Sequence, residues 1–422
     1  MVAHRASIAA LAGEAMNAAV VTTTPSTSAQ RFAGLEGLRT IGVVAVFVTH
    51  NAFATGTTFN PGNRVTLLGR EIKWSLLLGH LEIGPAIFFM ISAFLLYRPF
   101  AAALYAGHSV PSYSAFLRRR AVRVFPAYWI AIVVLYATNS IEIRNWLHAL
   151  RVMTLTQIYT QEDFFANRTL VPTWTLATEI TFYFFLIAYV ACMRRGKALT
   201  PEQRLRRELV VVIALCVVAF AWRFVVYHVH SLPEVAEFWL PGTVDLFALG
   251  LGLAAVDGYA RTGRSVARWD RWATPADMWA LLAVVSFLAV PVLFDASAGI
   301  GVSRGWDAYG RNFFQMLCAF FLLVPVVFGD QSRGAYRRLV RLRPMAYVGT
   351  VSYGIYLWHD HWIVEAIHWS GGVEALRAHF WLVGISAAAL SLVFGSMSYH
   401  WLERPALDVD ARRDRRRREA QG

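Results

Sequence analysis

From Gly34 onward the chain reads as ten apolar runs separated by short polar segments rich in arginine. Each run is close to the roughly 20 residues that a helix needs to cross the hydrocarbon core of a bilayer. The pattern predicts spans at 38–55, 77–97, 122–138, 173–193, 208–228, 238–257, 277–294, 312–329, 346–368 and 378–400. A shorter stretch, 146–159, reads as an interfacial or re-entrant helix. Residues 1–33 are rich in Ala, Thr and Ser, and the weakly apolar part is broken by Glu14 and Asn17, which predicts a disordered tail and no signal peptide. The expected division is a tail at 1–33, a transmembrane domain at 34–405 and a basic tail at 406–422. The expected fold class is all-α: a polytopic membrane helical bundle of about ten transmembrane helices.

Composition narrows the class further. Hydrophobic residues make up 57% of the 422 residues and charged residues 16%, with a mean hydropathy of +0.44. A soluble protein carries roughly 25% charged residues, so this chain has too little polar surface to coat a globule in water. The same numbers exclude disorder. The net charge of +13 is a topology signal. With the N-terminus placed inside, the inner segments hold 30 Lys and Arg and the outer loops 9, with Arg223 left inside a span. That asymmetry puts both termini in the cytoplasm of a multi-pass cell (plasma) membrane protein, and membrane lipid, not nucleic acid, is the expected partner of the basic clusters. Cys192, Cys216 and Cys318 give neither a disulfide framework nor metal-ligand spacing.

Ionisable groups inside spans are costly and therefore mark candidate chemistry. Arg39 and His50 share the first span, eleven residues apart, which sets them about 16 Å apart along a helix. Arg120 and Arg123, at the mouth of the third, share a face at i and i+3 and suit a phosphate. Glu179 lies about one and a half turns into the fourth, with Tyr183 one turn further. His359 and His361 lie in the ninth; residues two apart on a helix diverge, so no metal is expected there. His50, Glu179 and His359 are placed at comparable heights above a basic inner rim.

These residues resemble the membrane-bound acyltransferase-3 family, which O-acylates exported sugars and other small acceptors. The resemblance runs from Gly34 to Pro405 through Gly34–Arg39 with His50, Phe88–Leu96, Arg120-Ala121-Val122-Arg123 with Pro126, Trp174-Thr175-Leu176 with Glu179 and Phe182-Tyr183, Ser352–His359, and Glu403-Arg404-Pro405. Glu36 stands where the family more often has Asp, Ala93 where Gly is usual, and Thr243 in place of a basic residue, so Pro241–Phe247 receives no role. The resemblance implies a stand-alone form without a fused extracytoplasmic domain. It implies acyl-CoA as donor, acetyl-CoA first, entering from the cytoplasm, with no metal, and a sugar, glycolipid or secondary-metabolite hydroxyl as acceptor. Arg39, Arg120 and Arg123 are then the donor-binding residues. His50 is the general base, Glu179 its orienting carboxylate, and His359 a hydrogen-bond donor to the thioester oxygen or the acceptor. Thirty-eight arginines against two lysines fit a GC-rich genome, which makes a trehalose-type mycolate glycolipid one expected acceptor. The rival reading is a transporter or flippase of acylated sugars using the same buried charges; the motif order shows no inverted repeat.

Overall fold

The computed structural model describes residues 32, 34–59, 64–67, 70–195, 199–229, 232–263, 267–294, 305–371 and 380–419. The tail expected at 1–33 lies outside the described residues except for Phe32. A backbone in hydrocarbon must satisfy its polar groups within its own segment, which selects helices. Ten long helices answer the ten expected spans: α1 Leu35–Ala54, α2 Gly84–Ala106, α3 Tyr113–Ala137, α4 Trp174–Arg194, α5 Pro201–Phe224, α6 Leu240–Ala260, α7 Ala276–Leu293, α8 Trp306–Val327, α9 Ser352–Trp369 and α10 Phe380–Ser398. Nine of these regions are long and apolar enough to cross a membrane by length and composition. The exception is α9, whose 18 residues include His359, Asp360, His361 and Glu365. The expected ninth span is also divided, because helix Arg343–Thr350 precedes α9 and Val351 breaks the helical path between them.

Small residues let these helices approach closely, as packing in lipid requires. A side chain at Gly250 of α6 would sit 2.4 Å from the Met90 carbonyl of α2, and one at Gly354 of α9 would sit 2.6 Å from the Gly395 carbonyl of α10. Near the centre, Phe182 of α4 stacks on Phe247 of α6 at 4.1 Å, and Phe89 of α2 stacks on Phe247 at 4.5 Å. Helix α1 packs against both α2 and α9. That contact brings the first and ninth spans together across three hundred residues of chain.

Three features extend the sequence reading. A two-stranded antiparallel hairpin, Arg64–Leu67 with Arg70–Lys73, lies between α1 and α2 and adds a little β-structure to the helical bundle. The stretch 146–159 is a short helix, Trp146–Met153, followed by a 3₁₀ turn at Gln157–Tyr159. It is tied to the bundle by Tyr128 donating to the Val152 carbonyl at 2.7 Å and by the Trp239 indole donating to the Ile158 carbonyl at 2.8 Å. The basic C-terminal segment is helical as well: α11, Arg404–Glu419, follows a π turn at Tyr399–Glu403. It returns to α3, where Arg118 pairs with Asp410 and Asp414, and Arg119 lies 3.3 Å from Asp414.

Candidate functional site

Helix periodicity sets the site's long axis. Eleven residues at about 100° each make three turns and a small remainder, so Arg39 and His50 lie on one face of α1, one above the other. Each faces its own cavity of about 120 Å³.

His50 lines the first cavity, and His359 from α9 stands behind it, 1% exposed. His50 Nδ1 lies 2.7 Å from His359 Nε2, and His359 Nδ1 lies 2.7 Å from the Tyr356 carbonyl oxygen. The two rings are nearly parallel, 16° apart, with centroids separated by 4.9 Å. A carbonyl can only accept, so His359 Nδ1 carries the hydrogen and its Nε2, in the neutral ring, is the acceptor. His50 therefore donates from Nδ1, which leaves its own Nε2 as a bare lone pair. This assignment follows from the hydrogen-bond network.

Arg39, Arg120, Arg123 and Glu179 line the second cavity together, with Ser92, Tyr183 and Tyr353. Their hydrogen-bond commitments differ. Arg39 Nη1 donates to both oxygens of Glu36, at 2.9 and 3.1 Å. Arg123 lies 3.8 Å from Glu403, a carboxylate 1% exposed. The Arg120 Nε is buried with no hydrogen-bond partner. Of the three, Arg120 is the most open to a new anion.

Glu179 is not where the orienting role would need it. It accepts from Ser92 Oγ at 2.6 Å and sits among the arginines, whereas His50 is held by His359. The physical reason is helix rise: Trp174, five residues earlier on α4, occupies the level of the His50 cavity, and Glu179 falls about 7 Å below it. The comparable heights expected for His50, Glu179 and His359 hold for the two histidines alone. His359 is likewise behind His50 and not facing the cavity, so a direct bond to the thioester oxygen does not fit its placement.

The sequence reading missed several residues of the His50 cavity. Arg311 falls just before the expected span 312–329, but α8 begins at Trp306 and buries it to 7% exposure. It faces Glu82 at 3.8 Å. Arg223, recognised only as a charge within a span, forms a two-pronged pair with Asp245 at 2.8 and 2.9 Å. Asp245 belongs to the segment left without a role, and Thr243 beside it lines the cavity. Buried opposite charges on separate spans were the available signal. Tyr356 borders both cavities. Its hydroxyl donates to the Pro172 carbonyl and accepts from Thr175 Oγ1 at 2.8 Å, while Phe88 meets its ring edge-on at 6.2 Å. Among the described residues, no group of three or more His, Cys, Asp or Glu is gathered to hold a metal.

Known proteins share this arrangement of sequence. A family profile described as an acyltransferase domain matches residues 32–400. The chain is 24% identical over 390 residues to "Putative peptidoglycan O-acetyltransferase YrhL" of Bacillus subtilis, covering 88% of this chain and 54% of that protein. It is 20% identical over 388 residues to "Peptidoglycan O-acetyltransferase OatA" of Listeria monocytogenes, covering 88% and 55%. The chain thus spans about half the length of the curated relatives it matches. No solved structure matches it.

Proposed function

The chain belongs to the membrane-bound acyltransferase-3 family, and from that premise we propose that it transfers an acyl group, acetyl first, from cytoplasmic acyl-CoA to a hydroxyl of an envelope sugar. The observation that carries this reading is the chain from His50 Nδ1 through His359 to the Tyr356 carbonyl, which turns the His50 lone pair outward. A neutral imidazole in that state is a general base for an alcohol.

The arginine end of the bundle faces the cytoplasm in this reading, as the loop charges require. Coenzyme A carries a pyrophosphate and a ribose phosphate, and guanidinium forks bind such groups through charge-assisted hydrogen bonds. Arg120, Arg39 and Arg123 take the phosphates, and the pantetheine arm threads past Tyr356 toward His50. The acceptor hydroxyl enters the other cavity. His50 Nε2 takes its proton as the oxygen attacks the thioester carbon, and the new C–O bond forms. The tetrahedral intermediate then expels the CoA sulfur, which takes the same proton from His50 and leaves as the thiol. His359 is a positioning residue: its Nε2 keeps accepting from His50 Nδ1 while His50 is charged, in the place a carboxylate holds in a triad. Glu179 serves the donor cavity through Ser92 and its neighbouring arginines.

Both relatives are named as peptidoglycan O-acetyltransferases, which supports a carbohydrate hydroxyl here; a trehalose-type glycolipid is the acceptor suggested by composition. The test is acyl transfer by the purified protein from labelled acetyl-CoA, with and without a sugar acceptor. Label in the sugar matched by free CoA thiol is the expected result. Sugar movement across the bilayer with no thiol released would replace this reading with the transporter.

A further inference from the structure

The His50 cavity holds more polar machinery than proton transfer uses. Arg311 is buried, yet its Nε and Nη1 have no hydrogen-bond partner, and its distance of 3.8 Å from Glu82 is an ion-pair separation beyond hydrogen-bond reach. Gln315, one turn along α8, has a buried Nε2 with no partner. On another wall Glu237 accepts from the Tyr227 hydroxyl at 3.1 Å. Trp174 and Phe238, with ring centroids 4.6 Å apart, supply an apolar side.

A pocket of donors alone suits an anion, and one of acceptors alone suits a cation. This one has both, close together. An anionic ligand would lie against Glu82 and Glu237, and a cationic one against Arg311; either leaves like charges facing each other in a buried site, which is costly. A neutral polyol avoids both costs, because every hydroxyl donates once and accepts through two lone pairs. The ring's C–H face can then lie on the aromatic wall.

We propose that this cavity is an acceptor subsite selective for an uncharged sugar, with Arg311 as its specificity-determining residue and Gln315 as a second hydroxyl donor. The idea rests on the acyl-transfer reading only for what the subsite is used for; its binding selectivity stands or falls separately. The test uses full-length protein in lipid nanodiscs and three probes of equal length: a neutral β-1,4-linked N-acetylglucosamine tetramer, its de-N-acetylated cationic form and its C6-oxidised anionic form. Affinity is measured by saturation-transfer NMR, and acetyl transfer from labelled acetyl-CoA is followed in the same preparation.

The neutral tetramer should bind about tenfold or more tightly than either charged form, the loss expected when one hydrogen bond to a charged group is forfeited. Arg311→Gln should weaken it by a similar factor with CoA affinity unchanged. Gln315→Leu, which leaves the buried charges in place, should also weaken it and covers the case in which Arg311→Gln does not fold. Absent or equal binding of the three probes, or wild-type affinity in the folded variants, overturns the proposal. Selective binding with no acetyl transferred leaves the subsite standing and removes the acyl-transfer reading. Transfer with no preference for the neutral probe does the reverse.

Discussion

At the residue scale, a backbone carbonyl that can only accept fixes the protons of two imidazoles in series. Replacing His50 by Ala removes the base, so turnover should fall by about 10²–10⁴-fold, measured as thiol release from acetyl-CoA with acceptor present. His359→Ala should lower kcat by roughly tenfold to a hundredfold, the scale of one buried hydrogen bond lost, with little change in the apparent KM for either substrate. His359→Gln should recover part of that loss, because its amide oxygen can accept from His50 Nδ1; equal defects in the two variants would remove the positioning role. Among the arginines, Arg120→Ala should weaken CoA binding most, since its Nε is unpartnered while Arg39 and Arg123 already face Glu36 and Glu403. A loss of about tenfold or more in calorimetric affinity is expected. His50 and His359 stood out in the sequence as ionisable groups inside apolar spans, and the three arginines as a basic rim at one end of them. The direct contact between the two imidazoles and the placement of Glu179 among the arginines were not legible. Sequence spacing gives height along one helix, but which neighbour a side chain meets depends on helices three hundred residues apart, as with His50 and His359.

At the scale of elements, α9 holds His359 in register through its crossing with α10. Gly354→Val would force a side chain into the Gly395 carbonyl, and overpacking of this kind costs roughly 1–3 kcal/mol. The variant should melt at a lower temperature in detergent and lose activity together, because α9 cannot retreat without carrying His359 away from His50. The segment between α3 and α4 depends on a different device. Asp163 accepts from Arg144, Arg151 and Thr160. Burial pushes its carboxyl upward, but the hydrogen bonds from Arg151 and Thr160 outweigh that and hold it below the usual carboxylate range. A group with a depressed folded pKa adds stability that is complete above its unfolded pKa of about 4 and is lost as pH falls through the folded value. The clamp should therefore persist at neutral and mildly acidic pH. Asp163→Asn should loosen it at pH 7, seen as faster hydrogen exchange across 144–163 than in the unmutated protein, with the bundle helices unchanged.

At the scale of the whole molecule, two polar cavities lie one above the other inside an apolar bundle, divided by Tyr356 and joined along one face of α1. The ten helices were readable because apolar run length is almost sufficient to define a helix in lipid. The π turn at Tyr399–Glu403, the break before α9 and the docking of α11 on α3 were not, since each depends on tertiary contacts that leave no period in the sequence. In the proposed orientation the arginine cavity faces the cytoplasm, so the account requires the acyl group alone to cross while CoA and sugar stay on opposite sides. Proteoliposomes of known orientation test this most directly, with labelled acetyl-CoA supplied on one face and a sugar acceptor on the other. Label should enter the sugar only when acetyl-CoA is on the side of the arginine-rich loops and the acceptor is on the opposite side, and His50→Ala should abolish it. Equal labelling by His50→Ala, or transfer only when both substrates share one face, would contradict the account.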